Sequence, residues 1–363
     1  MSPFVRFLLL RLLLVPLTLL VVTATLMLML TTVRPEVRAL QYLPYRIQYQ
    51  ASEMTQEQLY QAAEDVIRSH HLEDPFPVQY AYWVVSVFTH DGGYSPTLKG
   101  NVFDALWKRA PVTGELALYS MLLFIPLGIV SGLRAGWRQG GLMDRLFRIA
   151  AYVASSLPPF ITALLLLGIF YVFLGWFPPG RLGIAMGQAT LSPEFHSYTG
   201  LITIDSLLNW RLDIFLDSVR HLVLPVVSLS MVYWAILGRI VRNTIITEAR
   251  KDYMTAARAR GIPERHLLWR HGLANIMSPA LSSSALAAAS LFTGVFMIEI
   301  IFDLNGVAEL VVHASKSGLD VPIVMGFCVY SVSVVLVIMF VLDVLRAILD
   351  PRSREIMIYD RAD

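Results

Sequence analysis

Six long apolar runs punctuate the chain, separated by segments that carry most of its charge. They cover Phe7–Thr32, Val112–Leu133, Ile149–Phe177, Arg220–Val241, Pro279–Ile301 and Pro322–Leu349. A helix needs about 20 such residues to cross a hydrocarbon layer roughly 30 Å thick. In lipid each backbone donor and acceptor must be satisfied within its own segment or a closed barrel. The alternating pattern of a membrane barrel is absent. The pattern therefore predicts an all-α polytopic membrane protein with six transmembrane helices.

The first run is uncharged from Leu12 to Val33 and follows Arg6 and Arg11. It is longer than the apolar core of a signal peptide, about 7–15 residues. It reads as a retained first span.

Between the first two spans, Arg34 to Pro111 is polar enough to be ordered in water. Thr55 and Gln58 have the spacing of a capping box, and Leu59, Ala62, Ala63, Val66 and Ile67 repeat at helical spacing behind them. A second stretch, Pro77–Phe88, places Tyr80, Trp83, Val84, Val87 and Phe88 on one face. Tyr and Trp favour the headgroup level. This helix fits either along the outer membrane surface or in a small cap packed on the spans. Asp91-Gly92-Gly93 reads as a turn. The chain thus divides into a first transmembrane helix (1–33), an extracytoplasmic helical insertion (34–111), a five-helix core (112–349) containing the loop 242–278, and a C-terminal tail (350–363).

Composition agrees with this division. Of 363 residues 56% are hydrophobic and 15% charged, against about 25% charged in soluble domains. The net charge of +2 is nearly neutral, and where the cations sit is more informative. Arg134, Arg138, Arg145 and Arg148 follow span two, and Arg242, Arg250, Lys251, Arg258, Arg260, Arg265 and Arg270 follow span four. The tail adds Arg352, Arg354 and Arg361, whereas 178–218 and 303–321 hold only Arg181, Arg211 and Lys316. By the positive-inside rule both termini are expected in the cytoplasm. The single cysteine, Cys328, excludes an intrachain disulfide and a Cys-based metal site. No HExxH spacing occurs, and His70-His71 reads as a solvated pair.

The loop between spans four and five carries the most chemistry. Ala256, Ala257 and Ala259 favour helix, Gly261 can end it in a left-handed conformation, and Pro263 suits the start of a second helix over Pro263–Asn275. Small residues let a partner's groove approach closely, and Arg258, Arg260 and Arg265 can meet acids or phosphates. Helix-in-groove docking and a basic helix on anionic lipid are both open on this basis.

The sequence Asp252-Tyr253, two residues, then Ala256-Ala257-Arg258-Ala259-Arg260-Gly261 resembles the coupling loop, or EAA motif, of ABC importer permeases. It is closest to the dipeptide/oligopeptide/nickel branch. Thr255 stands where the strict motif has Glu. Weaker matches follow in family order: Asp91-Gly92-Gly93-Tyr94-Ser95, Ala110–Ala117, Ser156-Leu157-Pro158-Pro159-Phe160, His221–Pro225, Glu299-Ile300-Ile301-Phe302 with Gly306, and Asp350-Pro351-Arg352. The stretch from Arg34 to about Asp74 matches no family motif.

The resemblance implies a type I importer permease fold in the cell inner membrane. It implies a second homologous permease subunit, two ABC ATPase subunits, an extracytoplasmic substrate-binding protein and the lipid bilayer as partners, with no role for nucleic acid. Asp252, Tyr253, Thr255, Ala256, Ala257, Arg258, Arg260 and Gly261 would dock the ATPase. No GxxxxGK[ST] loop occurs, so ATP and Mg would sit on the partner ATPase, and this chain would carry no cofactor or catalytic residue. Peptides are the expected cargo, with nickel or another small solute as the alternative. An intramembrane enzyme would need converging acids, a Ser/His pair or metal ligands at membrane depth, and none is visible. A scaffold using the same fold is the third class.

Several residues keep two readings. Glu299, near the end of span five, is a substrate contact or a paired end residue. Asp343 and Arg346 fit a local ion pair. The small residues Ser282–Ala285 and Ala287–Ser290 suit close helix packing. Pro158, Pro159 and Pro225 are expected to kink their spans.

Overall fold

The computed structural model describes residues 3–42, 56–89, 94–95, 97–316 and 320–349. Thr55, Asp91-Gly92-Gly93 and Asp350-Pro351-Arg352 lie outside the described residues, as do the side chains of Gln58 and Arg346. Among the described residues, five helices are long and apolar enough to cross a membrane, and a bent pair makes up to six.

The helices are α1 (Pro3–Leu30), α2 (Pro35–Tyr42), α3 (Gln56–Ser69), α4 (Phe76–Thr89), α5 (Val102–Trp137), α6 (Leu142–Ser156) and α7 (Pro159–Leu167). They continue as α8 (Ile184–Ala189), α9 (Ile202–Leu208), α10 (Leu212–Glu248), α11 (Asp252–Ala259), α12 (Glu264–His266), α13 (Leu273–Phe302), α14 (Val307–Lys316) and α15 (Val321–Leu349). The strands β1 (Tyr94–Ser95) and β2 (Gly100–Asn101) pair antiparallel.

Helix ends differ from the apolar runs in physically clear ways. α5 starts at Val102 and α10 runs from Leu212 to Glu248, because helical backbone continues past the apolar stretch wherever the flanking residues tolerate helix. Pro225 lies inside the continuous α10. The expected third span, Ile149–Phe177, falls on a pair of helices bent by 98° at a break, the place where Pro158 and Pro159 were expected to kink it. Leu157, before Pro158, is held extended at φ −112° and ψ 137°, as steric conflict with the proline ring demands. Pro159 then opens α7, where its missing N–H costs nothing. The expected second helix of the loop, Pro263–Asn275, is likewise not a separate element. Its residues pass through α12 and a π-helical turn (Leu267–Gly272) straight into α13.

The chain divides into two compact units. In the unit of residues 1–12, 111–305 and 335–363, α10 packs against α13, α6, α7 and α9. Its core includes Leu116, Phe124, Leu133, Leu229, Leu237 and Leu291. Three glycines of α5, four residues apart, bring its backbone onto α10. A Cβ on Gly132 would lie 2.3 Å from the Gly238 carbonyl oxygen, and one on Gly136 would lie 2.6 Å from that of Arg242. Small residues at this spacing are how helices approach closely in lipid. Buried Glu115 pins the 178–211 connection, accepting from the Thr203 backbone N–H at 2.9 Å and from Arg181 at 3.2 Å.

In the unit of residues 13–110 and 306–334, Ala39, Ala63, Ile67 and Leu72 form a small core. Beside it, buried Arg38 donates to Gln79 Oε1 at 2.9 Å and to the Leu72 carbonyl at 2.7 Å. Asp320 caps α15 by accepting from the Ile323 N–H at 3.2 Å, and it also accepts from the Ser95 hydroxyl at 2.6 Å. Arg109 pairs with Glu309.

Candidate functional site

The loop between α10 and α13 is built by two reversals. α10 ends at Glu248, and Lys251, extended at φ −69° and ψ 150°, starts α11. Asp252 stands in the first turn, where its charge complements the helix dipole. At the other end Gly261 takes φ +77°. The Gly261 N–H bonds the Arg258 carbonyl at 2.9 Å and the Ile262 N–H bonds that of Ala257 at 3.3 Å. These two bonds define a Schellman motif, and the left-handed residue they require is one that glycine occupies without a Cβ penalty. Pro263 then precedes α12, with the His266 N–H bonding its carbonyl at 2.8 Å.

One side of α11 is rooted and the other is free. Met254 is fully buried. The Tyr253 hydroxyl donates to Glu248 Oε1 at 2.7 Å and accepts from Asn275 Nδ2 at 2.8 Å. A single phenol therefore joins the last residue of α10 to the first turn of α13. Burial, and then the Glu248 carboxylate beside it, push the Tyr253 phenol up to about 12. It stays protonated as the donor at any physiological pH. Lys251 Nζ holds the other Glu248 oxygen at 2.6 Å.

Arg258 is engaged within the chain. It donates to Glu264 at 2.8 Å and to the Ala249 carbonyl at 3.1 Å, and its guanidinium lies 5.5 Å from the Trp137 ring centroid. Asp252, Thr255, Ala256, Ala259 and Arg260 are exposed, at the i, i+3, i+4, i+7 and i+8 positions of one helical face. Ala257 is half-buried, and a Cβ placed on Gly261 would meet no atom within 4 Å. Beside α11 an open cleft of about 680 Å³ is lined by Pro263, Arg265, His266, Trp269 and Arg270.

The root extends further than sequence reasoning reached. Arg242 grips buried Asp144 of α6 through Nε at 2.5 Å and Nη2 at 3.0 Å, and Arg250 reaches Gln139 at 3.1 Å. Glu248, Asn275, Asp144 and Trp137 belong to no motif in the loop itself. The spacing of Gly128, Gly132 and Gly136, by contrast, was a readable signal. Glu299, which kept two readings, is buried within α13.

Residues 125–355 match the family described as binding-protein-dependent transport system inner membrane component. A di/tripeptide transport system permease protein of Pseudomonas aeruginosa is 30% identical over 283 residues, covering 78% of this chain and 82% of the relative. An oligopeptide transport system permease protein of Bacillus subtilis is 30% identical over 290 residues, covering 80% and 84%. A probable D,D-dipeptide transport system permease protein of Escherichia coli is 34% identical over 286 residues, covering 77% and 81%.

Proposed function

The chain belongs to the binding-protein-dependent transport system inner membrane components, and on that premise we propose that it forms half of a peptide translocation pathway driven by a separate ATPase. The family makes it a membrane permease component of an ABC importer. The peptide transport systems to which its relatives belong support peptides as cargo. A second homologous permease, two ATPase subunits that bind ATP and Mg, and a substrate-binding protein complete the assembly. Both termini, α11 and the basic cleft face the cytoplasm in this reading, supported by the clustering of Arg and Lys beside them.

The observation that carries the proposal is the two-sided construction of α11. Its outward face offers Asp252, Thr255, Ala256 and Arg260, and its cap, Gly261, leaves room for an approaching backbone. A groove on the ATPase receives this face. The opposite side is fixed to α10 through Glu248 and to α13 through Asn275. Closure of the two ATPases moves α11, and the Tyr253 bonds carry that displacement into two spans at once. Nucleotide must then bind one arrangement of the pair more tightly than the other, since a ligand shifts an equilibrium only by its differential affinity.

The test is to purify the chain with its partners and measure ATP hydrolysis with and without loaded binding protein. A co-purifying ATPase stimulated by the loaded binding protein is the expected result. An assembly with no nucleotide-hydrolysing subunit contradicts it.

A further inference from the structure

α4 contains no charged residue from Phe76 to Thr89. Its Ser and Thr hydroxyls are spent on its own backbone: Ser86 donates to the Trp83 carbonyl at 2.7 Å and Thr89 to that of Val85 at 3.1 Å. Val78, Tyr82 and Val85 are exposed, with Ala81 between them. A helix with this stripe in water would be an exposed apolar patch.

Its position against α1 decides what covers the stripe. The Tyr80 hydroxyl donates to the Leu20 carbonyl at 3.0 Å and lies 2.9 Å from the Thr23 hydroxyl. Leu20 is in the middle of the apolar span Leu12–Leu30. With a rise of 1.5 Å per residue, it lies about 15 Å from the Leu30 end. If α4 were in water, α1 would have to leave the hydrocarbon near Leu20. The stretch from Arg11 to Leu20 is then about 14 Å long, half of what a crossing requires. Ten apolar or internally bonded residues beyond it would be wasted on solvent. Thr23 and Thr25 already return their hydroxyls to the Leu19 and Val21 carbonyls, at 2.7 and 2.8 Å.

We propose that α4 is embedded in the bilayer, in the leaflet at the C-terminal end of α1, and that lipid acyl chains cover its Val78–Tyr82–Val85 stripe. At 14 residues, about 21 Å long, it enters without crossing, as short apolar helices beside a span do. α1 likewise leaves Leu17, Leu20, Val21 and Leu28 exposed. Arg38 and Gln79 satisfy the carbonyls of Leu72 and Asp74 where the chain turns into α4. Tyr82, stacked on His71 at 3.8 Å between centroids, fits the polar boundary of that leaflet.

The test uses the full chain in phosphatidylcholine vesicles on a Cys328→Ala background. A fluorescent maleimide is placed by Val85→Cys, with Val21→Cys as the lipid control and Arg68→Cys as the aqueous control. Ala81→Cys, exposed on the same stripe beside Tyr80, serves if Val85→Cys fails to fold. Lipids brominated on the acyl chain should quench the Val85 probe as they quench Val21, and iodide should not. Quenching by iodide to the level of Arg68 would overturn the proposal. So would shielding from both quenchers, which would mean that another polypeptide covers the stripe.

Discussion

Gly261 separates the internal demands of the fold from those of docking. Its φ of +77° disfavours any residue with a Cβ, yet a Cβ there meets nothing within 4 Å. The internal cost of substitution is therefore the backbone term alone, about 1–2 kcal/mol for an ordinary L-residue, and less for Asn, which visits this region more readily. A turn at the exposed end of an eight-residue helix can absorb that cost without unfolding the spans. A large side chain would project into the space the ATPase groove is proposed to fill. Gly261→Asn should keep nearly all transport, whereas Gly261→Leu should assemble in the membrane with a thermal midpoint close to that of Gly261→Asn but uncouple hydrolysis from uptake. The assay is peptide uptake per ATP hydrolysed in vesicles containing the whole assembly, with thermal unfolding measured alongside. Full coupling in Gly261→Leu would refute the placement of this cap at the docking surface. A collapse of folding in both variants would refute the argument that the site is open.

Tyr253→Phe keeps the ring and removes the bonds to Glu248 and Asn275, a loss of about 0.5–1.5 kcal/mol for each bond at this partly exposed site. Uptake per ATP should fall while ATPase co-purification is retained, and an unchanged ratio would remove Tyr253 from the transmission. Gly132→Ala places a methyl 2.3 Å from the Gly238 carbonyl and should destabilise by about 1–3 kcal/mol. Gly168→Ala, with no atom near its Cβ, is the control, and thermal unfolding in detergent compares them. Burial raises the Asp205 carboxyl, but hydrogen bonds from Thr199, Ser197 and Gly200 outweigh it and hold the pKa below the ordinary value. A depressed folded pKa gives stability that is present above the unfolded value of about 3.9 and is lost as pH falls through the folded one. Amide exchange at Thr199 and Gly200, corrected for intrinsic rates, should be protected from neutral pH down to about pH 4 and lose protection only below it. Loss near pH 6 would contradict this.

The membrane character of the fold was legible because about 20 apolar residues in a row have few other uses. Helix limits were less so: the run Val112–Leu133 sits within a helix from Val102 to Trp137. Pro158 and Pro159 signalled a kink, but no sequence rule sets the 98° bend between α6 and α7, both of which pack against α10. Within the loop, Gly261 and Pro263 fixed the reversal correctly, because each has few backbone alternatives. The partners of Tyr253 and Arg258 were not legible. Glu248, Asn275 and Trp137 reach the loop from three different helices, and only tertiary packing brings them there. Arg258 donates through Nε to Glu264 and through Nη1 to the Ala249 carbonyl while its side chain stays exposed, and those two contacts within the chain had no signal in the motif.

The most direct measurement is a site-specific cross-link from the outward face of α11 in the native membrane. With Ala256→Cys on the Cys328→Ala background, a short bifunctional maleimide should join this chain to the ATPase subunit, and the yield should change when ATP is bound. Labelling of the same position by a membrane-impermeant maleimide added to intact cells would place the helix on the wrong side of the bilayer and contradict the coupling role.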